Sequence, residues 1–174
     1  MYPERVVEYT RGINVDAAKC DGCGDCAEAC RRAVAGQHRH TDPFPRIWVQ
    51  QVDHKQYPVL CHNCEQAPCV SACMTGCRHR VGDFVTTDYA RCVGCSMCVM
   101  CCPFGAIELV EEEHLALKCD GCLDEETAPC VAACQKGALR HVGYLQSVSE
   151  TRYAGAAALA FSSLLAASKK GGKP

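Results

Sequence analysis

Cys92-Val93-Gly94-Cys95-Ser96-Met97-Cys98-Val99-Met100-Cys101-Cys102-Pro103-Phe104-Gly105-Ala106-Ile107 is the stretch that decides how this chain folds. Three cysteines fall two residues apart, and a fourth follows four positions after the third, closed by a proline. The grammar recurs. Cys20, Cys23, Cys26 and Cys30 have the same spacing. Cys61, Cys64, Cys69 and Cys73 widen the second gap to four residues, and Cys119, Cys122, Cys130 and Cys134 widen it to seven. Each group is a triplet plus one cysteine four positions beyond it. Together they account for 16 of the 18 cysteines in 174 residues; Cys77 and Cys101 are left over.

Composition says why the cysteines matter. Leu, Ile, Val and Phe number only 33, which is thin for an aliphatic core. The formal charge is just −2, so the chain lacks the net charge of a disordered one. A disulfide scaffold would have this many cysteines, but such scaffolds are secreted. Met1 to Arg11 shows neither a charged head with an apolar run nor a twin-arginine signal. The longest apolar stretch, Ala154 to Ala167, is mostly alanine and shorter than the ~20 residues of a membrane span. The expectation is a cytoplasmic protein with reduced thiols, where cysteine clusters mean metal.

The spacing favours a polynuclear centre. A cubane needs four converging thiolates, three from one tight loop and the fourth from the helix after a different triplet. Gly22, Gly24, Gly94 and Gly121 fall in or beside the gaps, where a positive φ costs glycine little. Backbone N–H groups of such loops turn toward the cluster and offset its charge. Zinc sites prefer two Cys-x2-Cys pairs 12–20 residues apart, which fits poorly. A zinc-stapled scaffold is the alternative from another class.

Internal repeats add detail. Lys19-Cys20-Asp21-Gly22-Cys23 returns as Lys118-Cys119-Asp120-Gly121-Cys122, and Ala67-Pro68-Cys69-Val70-Ser71-Ala72-Cys73 as Ala128-Pro129-Cys130-Val131-Ala132-Ala133-Cys134. Over residues 12 to 145 the sequence resembles the four-cluster ferredoxin-like iron–sulfur subunits of molybdenum and tungsten oxidoreductases, the type that serves dimethyl sulfoxide reductase. Its size and single tail look most like the small subunit of tungsten aldehyde oxidoreductases. The resemblance implies two nested bacterial-ferredoxin-like units, the outer from groups one and four and the inner, over 55–110, from groups two and three. It implies four 4Fe–4S clusters. Cluster A takes Cys20, Cys23, Cys26 and Cys134, and cluster B takes Cys119, Cys122, Cys130 and Cys30. Cluster C takes Cys61, Cys64, Cys69 and Cys102, and cluster D takes Cys92, Cys95, Cys98 and Cys73. Proline follows only the third group; Arg31, Met74 and Gln135 take its place elsewhere, which predicts turns of different shape there.

The implied function is single-electron transfer without catalysis of its own. The implied partners are a tungsten or molybdenum pterin subunit oxidising an aldehyde, and a flavoprotein or ferredoxin. A formate dehydrogenase, hydrogenase or carbon monoxide dehydrogenase is the alternative partner. No phosphate loop, dinucleotide fingerprint or nucleophile elbow occurs, and no basic stripe points to nucleic acid. Four oxidised clusters with their thiolates would bring the charge to about −10. Lys19, Arg31, Arg32, Arg78, Arg80, Arg91, Lys118 and Arg140 flank the motifs, as neutralising charges or as solvated surface. His62 lies inside the second triplet, as a hydrogen-bond donor to a cluster sulfur or as a structural side chain. Cys77 and Cys101 read as buried thiols, or else as alternative ligands or redox-sensitive groups.

The fold class expected is α+β: small hairpins and short helices around clusters, with a four-cluster domain over 1–149 and a C-terminal helical tail over 150–174. Strands are expected within 5–10, 13–15, 47–52 and 84–89, and a hairpin over 106–118 with Glu111 to His114 at its turn. Residues 31–46 read as loop, with His38 and His40 solvated. A short helix is expected after each triplet, carrying the fourth cysteine. The Ala-rich tail reads as a helix that docks on its own domain, on a partner subunit or on another copy, the last capable of building a filament. Truncation at Glu150 is expected to reduce assembly size or partner retention on size-exclusion chromatography; unchanged values for both would dismiss docking.

Overall fold

The computed structural model describes residues 12–35 and 44–142. The expected strand over 5–10, the histidine-bearing loop and the C-terminal helix lie outside the described residues. The strands, in chain order, are β1 (Gly12–Val15), β2 (Trp48–Val52), β3 (Lys55–Val59), β4 (Arg78–Val81), β5 (Phe84–Thr87), β6 (Ile107–Val110), β7 (Leu115–Lys118) and β8 (Leu139–Val142). They form four separate antiparallel pairs: β1–β8, β2–β3, β4–β5 and β6–β7. The helices are α1 (Asp25–Ala33), α2 (Pro68–Ser71), α3 (Met97–Cys101) and α4 (Pro129–Ala132).

The ends of the described chain meet. Gly12 pairs with Val142 and Val15 with Leu139, so the first and last strands close one ribbon. α1 packs on α4, and α2 on α3. The architecture is mixed α and β with small hairpins. The hairpin expected over 106–118 is present, as β6 and β7 joined by a 3-10 turn over Glu111–Glu113, with His114 left-handed at φ 54°. β3, β4 and β8 go beyond the strands expected.

Helix placement differs from expectation. Each helix starts at or just before the third cysteine of its triplet. Only α1 contains a fourth cysteine, Cys30; Cys73, Cys102 and Cys134 lie past their helix ends. The polar 31–46 segment is correspondingly helical as far as Ala33. An aspartate prepares two triplets: Asp16 Oδ1 accepts from Ala18 N at 3.2 Å, and Asp88 Oδ1 from Ala90 N at 3.1 Å, each capping a 3-10 turn before the first cysteine.

The turns after the fourth cysteines correct the proline argument. Gly105 N donates to Cys102 O at 3.3 Å, Gly76 N to Cys73 O at 3.1 Å, and Gly137 N to Cys134 O at 3.0 Å. The three glycines have φ of 60°, 62° and 63°. The turn is therefore shared by groups that keep the proline and groups that lack it. Glycine three residues after the cysteine sets it, because it enters the left-handed region freely.

Sulfur builds much of the interior. Among the described residues, six of the twenty buried apolar side chains are cysteines. One core joins Cys26, Cys30 and Cys130 with Val34, Ile47, Leu60, Ala128 and Leu139. A smaller one joins Cys98 with Ile107 and Ala116.

Gly105→Ala is expected to cost about 1 kcal/mol in thermal unfolding of the loaded protein, because Cβ finds open space but the left-handed backbone remains. Pro103→Ala is expected to cost clearly less. The reverse order would return the turn to proline.

Candidate metal centres

Cys20, Cys23, Cys26 and Cys134 line one cavity of about 210 Å³, with Gly24 and Val49 in its wall. Three come from the first triplet and one from the end of the chain's fourth group. Cys61, Cys64, Cys69 and Cys102 line a second cavity, floored by Val85 and Ile107. These are the sets that the resemblance implied for clusters A and C.

The other two sets are visible through their neighbours. The Cys30 thiol lies near Cys122 and Cys130, and also near the buried Cys119, joining all four residues of set B. For set D, Cys73 Sγ lies 3.4 Å from Cys77 Sγ, and Cys77 in turn faces Cys92. Cys98 is buried against the Arg78 guanidinium, and Cys95 is exposed. Cys77 thus stands within the fourth set's surroundings, in a position held by Ala106 and Ala138 in the parallel turns.

Local backbone serves the sulfurs. Arg46 N donates to Cys30 Sγ at 3.1 Å. Asn63 N donates to Cys61 Sγ, Gly121 N to Cys119 Sγ and Leu139 N to Cys134 Sγ, each at 3.4 Å. Two of these donors are left-handed between the first and second cysteines, Asn63 at φ 48° and Gly121 at φ 84°, while Gly24 at φ 82° and Ser96 at φ 63° are left-handed between the second and third of their triplets. At Gly94 no side chain is tolerated, because a Cβ would stand 2.7 Å from the His114 backbone. Asp21 and Asp120 hold their loops by accepting from Cys23 N and Cys122 N at 3.2 and 2.9 Å.

Without metal, burial penalises the thiolates. It pushes Cys26 up to about 11, assisted by the Cys134, Cys20 and Cys23 thiols. It pushes Cys122 and Cys130 up to about 12, with Cys30 contributing to both. Cys73 is the exception. Burial pushes it up as well, but hydrogen bonds from the Arg78 backbone, the Thr75 hydroxyl and Cys77 outweigh that and bring it to about 6.

The donor set fits iron–sulfur clusters. Four soft thiolates ring each of two cavities, backbone N–H groups face sulfur, and buried cations stand beside the cysteines.

His62 is exposed and its ring meets Phe104, centroids 4.2 Å apart. Lys19, Arg31, Arg32 and Arg91 are at the surface or bound to surface acids, as Arg31 is to Glu28 at 2.8 Å. Lys118 and Arg78 are buried, as is Arg46. Arg46 carried no sequence signal beyond preceding the apolar Ile47.

These features describe an iron–sulfur protein of ferredoxin-like construction. Residues 52–146 match the 4Fe-4S dicluster domain family, and the chain belongs to that family. It is 35% identical over 153 residues to the electron transport protein HydN of Escherichia coli, covering 74% of this chain and 86% of HydN. It is 36% identical over 138 residues to the β subunit of the NADH-dependent phenylglyoxylate dehydrogenase of Aromatoleum evansii, covering 75% of this chain and 30% of that subunit. UacF of Escherichia coli is 39% identical over 135 residues, 74% of this chain, and the chain spans only 20% of it.

On the cluster-free chain near pH 8, Cys73 is expected to alkylate ahead of Cys26, Cys122 and Cys130, since the thiolate is the nucleophile. Below about pH 6 the advantage is expected to fade as Cys73 protonates. Timed iodoacetamide labelling with peptide mass spectrometry reads this, and uniform labelling would contradict it.

Proposed function

We propose that the chain is a non-catalytic electron-transfer subunit of an oxidoreductase complex, holding four 4Fe–4S clusters in two nested units. The observation that carries the reading is the order of the cysteine sets through the fold. Cys26 of set A lies beside Cys130 of set B. Cys119 of set B lies within charge-interaction range of Cys61 of set C. Arg78 spans Cys69 of set C and Cys98 of set D. The two exposed cysteines, Cys23 and Cys95, belong to the outermost sets A and D. The sets therefore run A–B–C–D from one surface to another, which is the layout of a relay with an entry and an exit.

The clusters supply one-electron redox chemistry when bound. The chain's own residues fix their spacing, enclose them and set the charge around them. The pairing of α1 with α4 and of α2 with α3 supports the nested units. HydN's name as an electron transport protein supports the role, and the phenylglyoxylate dehydrogenase subunit supports membership of a larger complex. The preferred partner is a tungsten or molybdenum pterin oxidoreductase acting on an aldehyde, with a flavoprotein or ferredoxin at the other end. A formate dehydrogenase, hydrogenase or carbon monoxide dehydrogenase is the alternative. No helix among the described residues is long and apolar enough to cross a membrane.

Two experiments test this. Cys26→Ala and Cys134→Ala are each expected to remove about four iron, and the double variant about four rather than eight. Additive loss would break the proposed swap between distant groups. Anaerobic affinity purification of the full chain from its host is expected to bring down a pterin-containing catalytic subunit. Recovery with a hydrogenase would shift the partner, and recovery as a free monomer with no redox protein would contradict the subunit reading.

A further inference from the structure

Among the described residues, the only fully buried charged side chains are Arg46, Arg78 and Lys118, at 4%, 2% and 2% exposure. All three are cations, and an unpaired buried charge is expensive. Arg78 Nη1 donates to Thr87 Oγ1 and Nη2 to Ala116 O, both at 2.7 Å, while its buried Nε has no partner. Lys118 Nζ donates to the Val85 and Cys119 carbonyls. Arg46 Nη1 donates to Phe44 O at 3.0 Å. These acceptors are neutral. The ion pairs seen among the described residues join other, partly exposed side chains: Lys19–Asp16, Arg31–Glu28, Arg32–Glu28 and Lys136–Asp21.

What the three cations face is cysteine. Arg78 faces Cys98 and Cys69, and the Tyr89 ring. Lys118 faces Cys69 and Cys119. Arg46 faces Cys30. The cations thus stand at sets B, C and D. Among the described residues, the cations at set A are exposed: Lys136 lines its cavity and is bound to Asp21, and Lys19 is bound to Asp16. In water such charges are screened, whereas a buried charge is screened much less.

We propose that Arg46, Lys118 and Arg78 are potential-setting counter-cations that make the clusters of sets B, C and D easier to reduce than that of set A. Each added electron makes a cluster more negative, so a fixed buried cation beside it stabilises the reduced form. Set A is then the most reducing end, and an electron entering beside Cys23 leaves that set downhill into the next. This rests on the reading of these cysteines as cluster ligands.

The test is EPR-monitored redox titration of the full chain, with iron and sulfide measured on each sample. Arg78→Met is expected to lower the reduction equilibrium constant of two clusters about tenfold each, a shift of about 59 mV for one electron. Arg78→Lys is expected to restore most of it, and Lys19→Met, beside Cys20 but exposed, to change none by more than about threefold. Loaded protein in which Arg78→Met moves no potential beyond that control overturns the proposal, as does an equal shift in Arg78→Lys. Wild-type chain without iron and sulfide overturns the ligand reading beneath it. A second arm needs no cation variant: Cys23→Ser is expected to alter the signal of lowest potential. Alteration of a higher-potential signal instead would overturn the proposed order.

Discussion

The thiolate–iron bond is the constraint on which the rest of this structure depends. A chain with 33 large aliphatic and phenylalanine side chains in 174 has little else to bury. Cysteine fills the gap twice over, as apolar volume in the core and as a ligand. Because burial holds Cys26, Cys122 and Cys130 at about 11 to 12, the protein interior by itself disfavours the anions that the cofactor needs. Metal binding therefore adds to the stability of the fold, since the energy of the bonds offsets the deprotonation. The short hairpins and short helices carry little stability of their own and serve to aim sulfur.

The same constraint explains the order of the chain. A triplet can be local, since three ligands fit one loop. In the proposed ligation the fourth cysteine comes from a distant group, and the meeting of β1 with β8 and of α1 with α4 across the described sequence is what such an exchange needs. Cations follow for electrostatic reasons. Clustered negative charge in a small interior repels itself, and Arg46, Arg78 and Lys118 are buried where that charge would gather.

What the sequence made legible is what spacing encodes. The four cysteine groups, the glycines of the loops and the β6–β7 hairpin could all be read directly. β3 and β4 could not, because Lys55-Gln56-Tyr57-Pro58-Val59 and Arg78-His79-Arg80-Val81 are polar and brief, paired by short turns rather than by an apolar face. Proline after Cys102 drew attention from Gly76, Gly105 and Gly137, which set the turn. The fate of Lys118 and Arg78 was undecidable, because a cation beside a motif looks alike whether it faces water or sulfur. Arg46 gave no signal, since its burial depends on packing against Cys30 across 16 residues.

The most direct measurement is iron, acid-labile sulfide and zinc per chain on anaerobically purified protein. About 16 iron and 16 sulfide with negligible zinc is the result this account requires. Several zinc with little sulfide would contradict it and leave a structural scaffold.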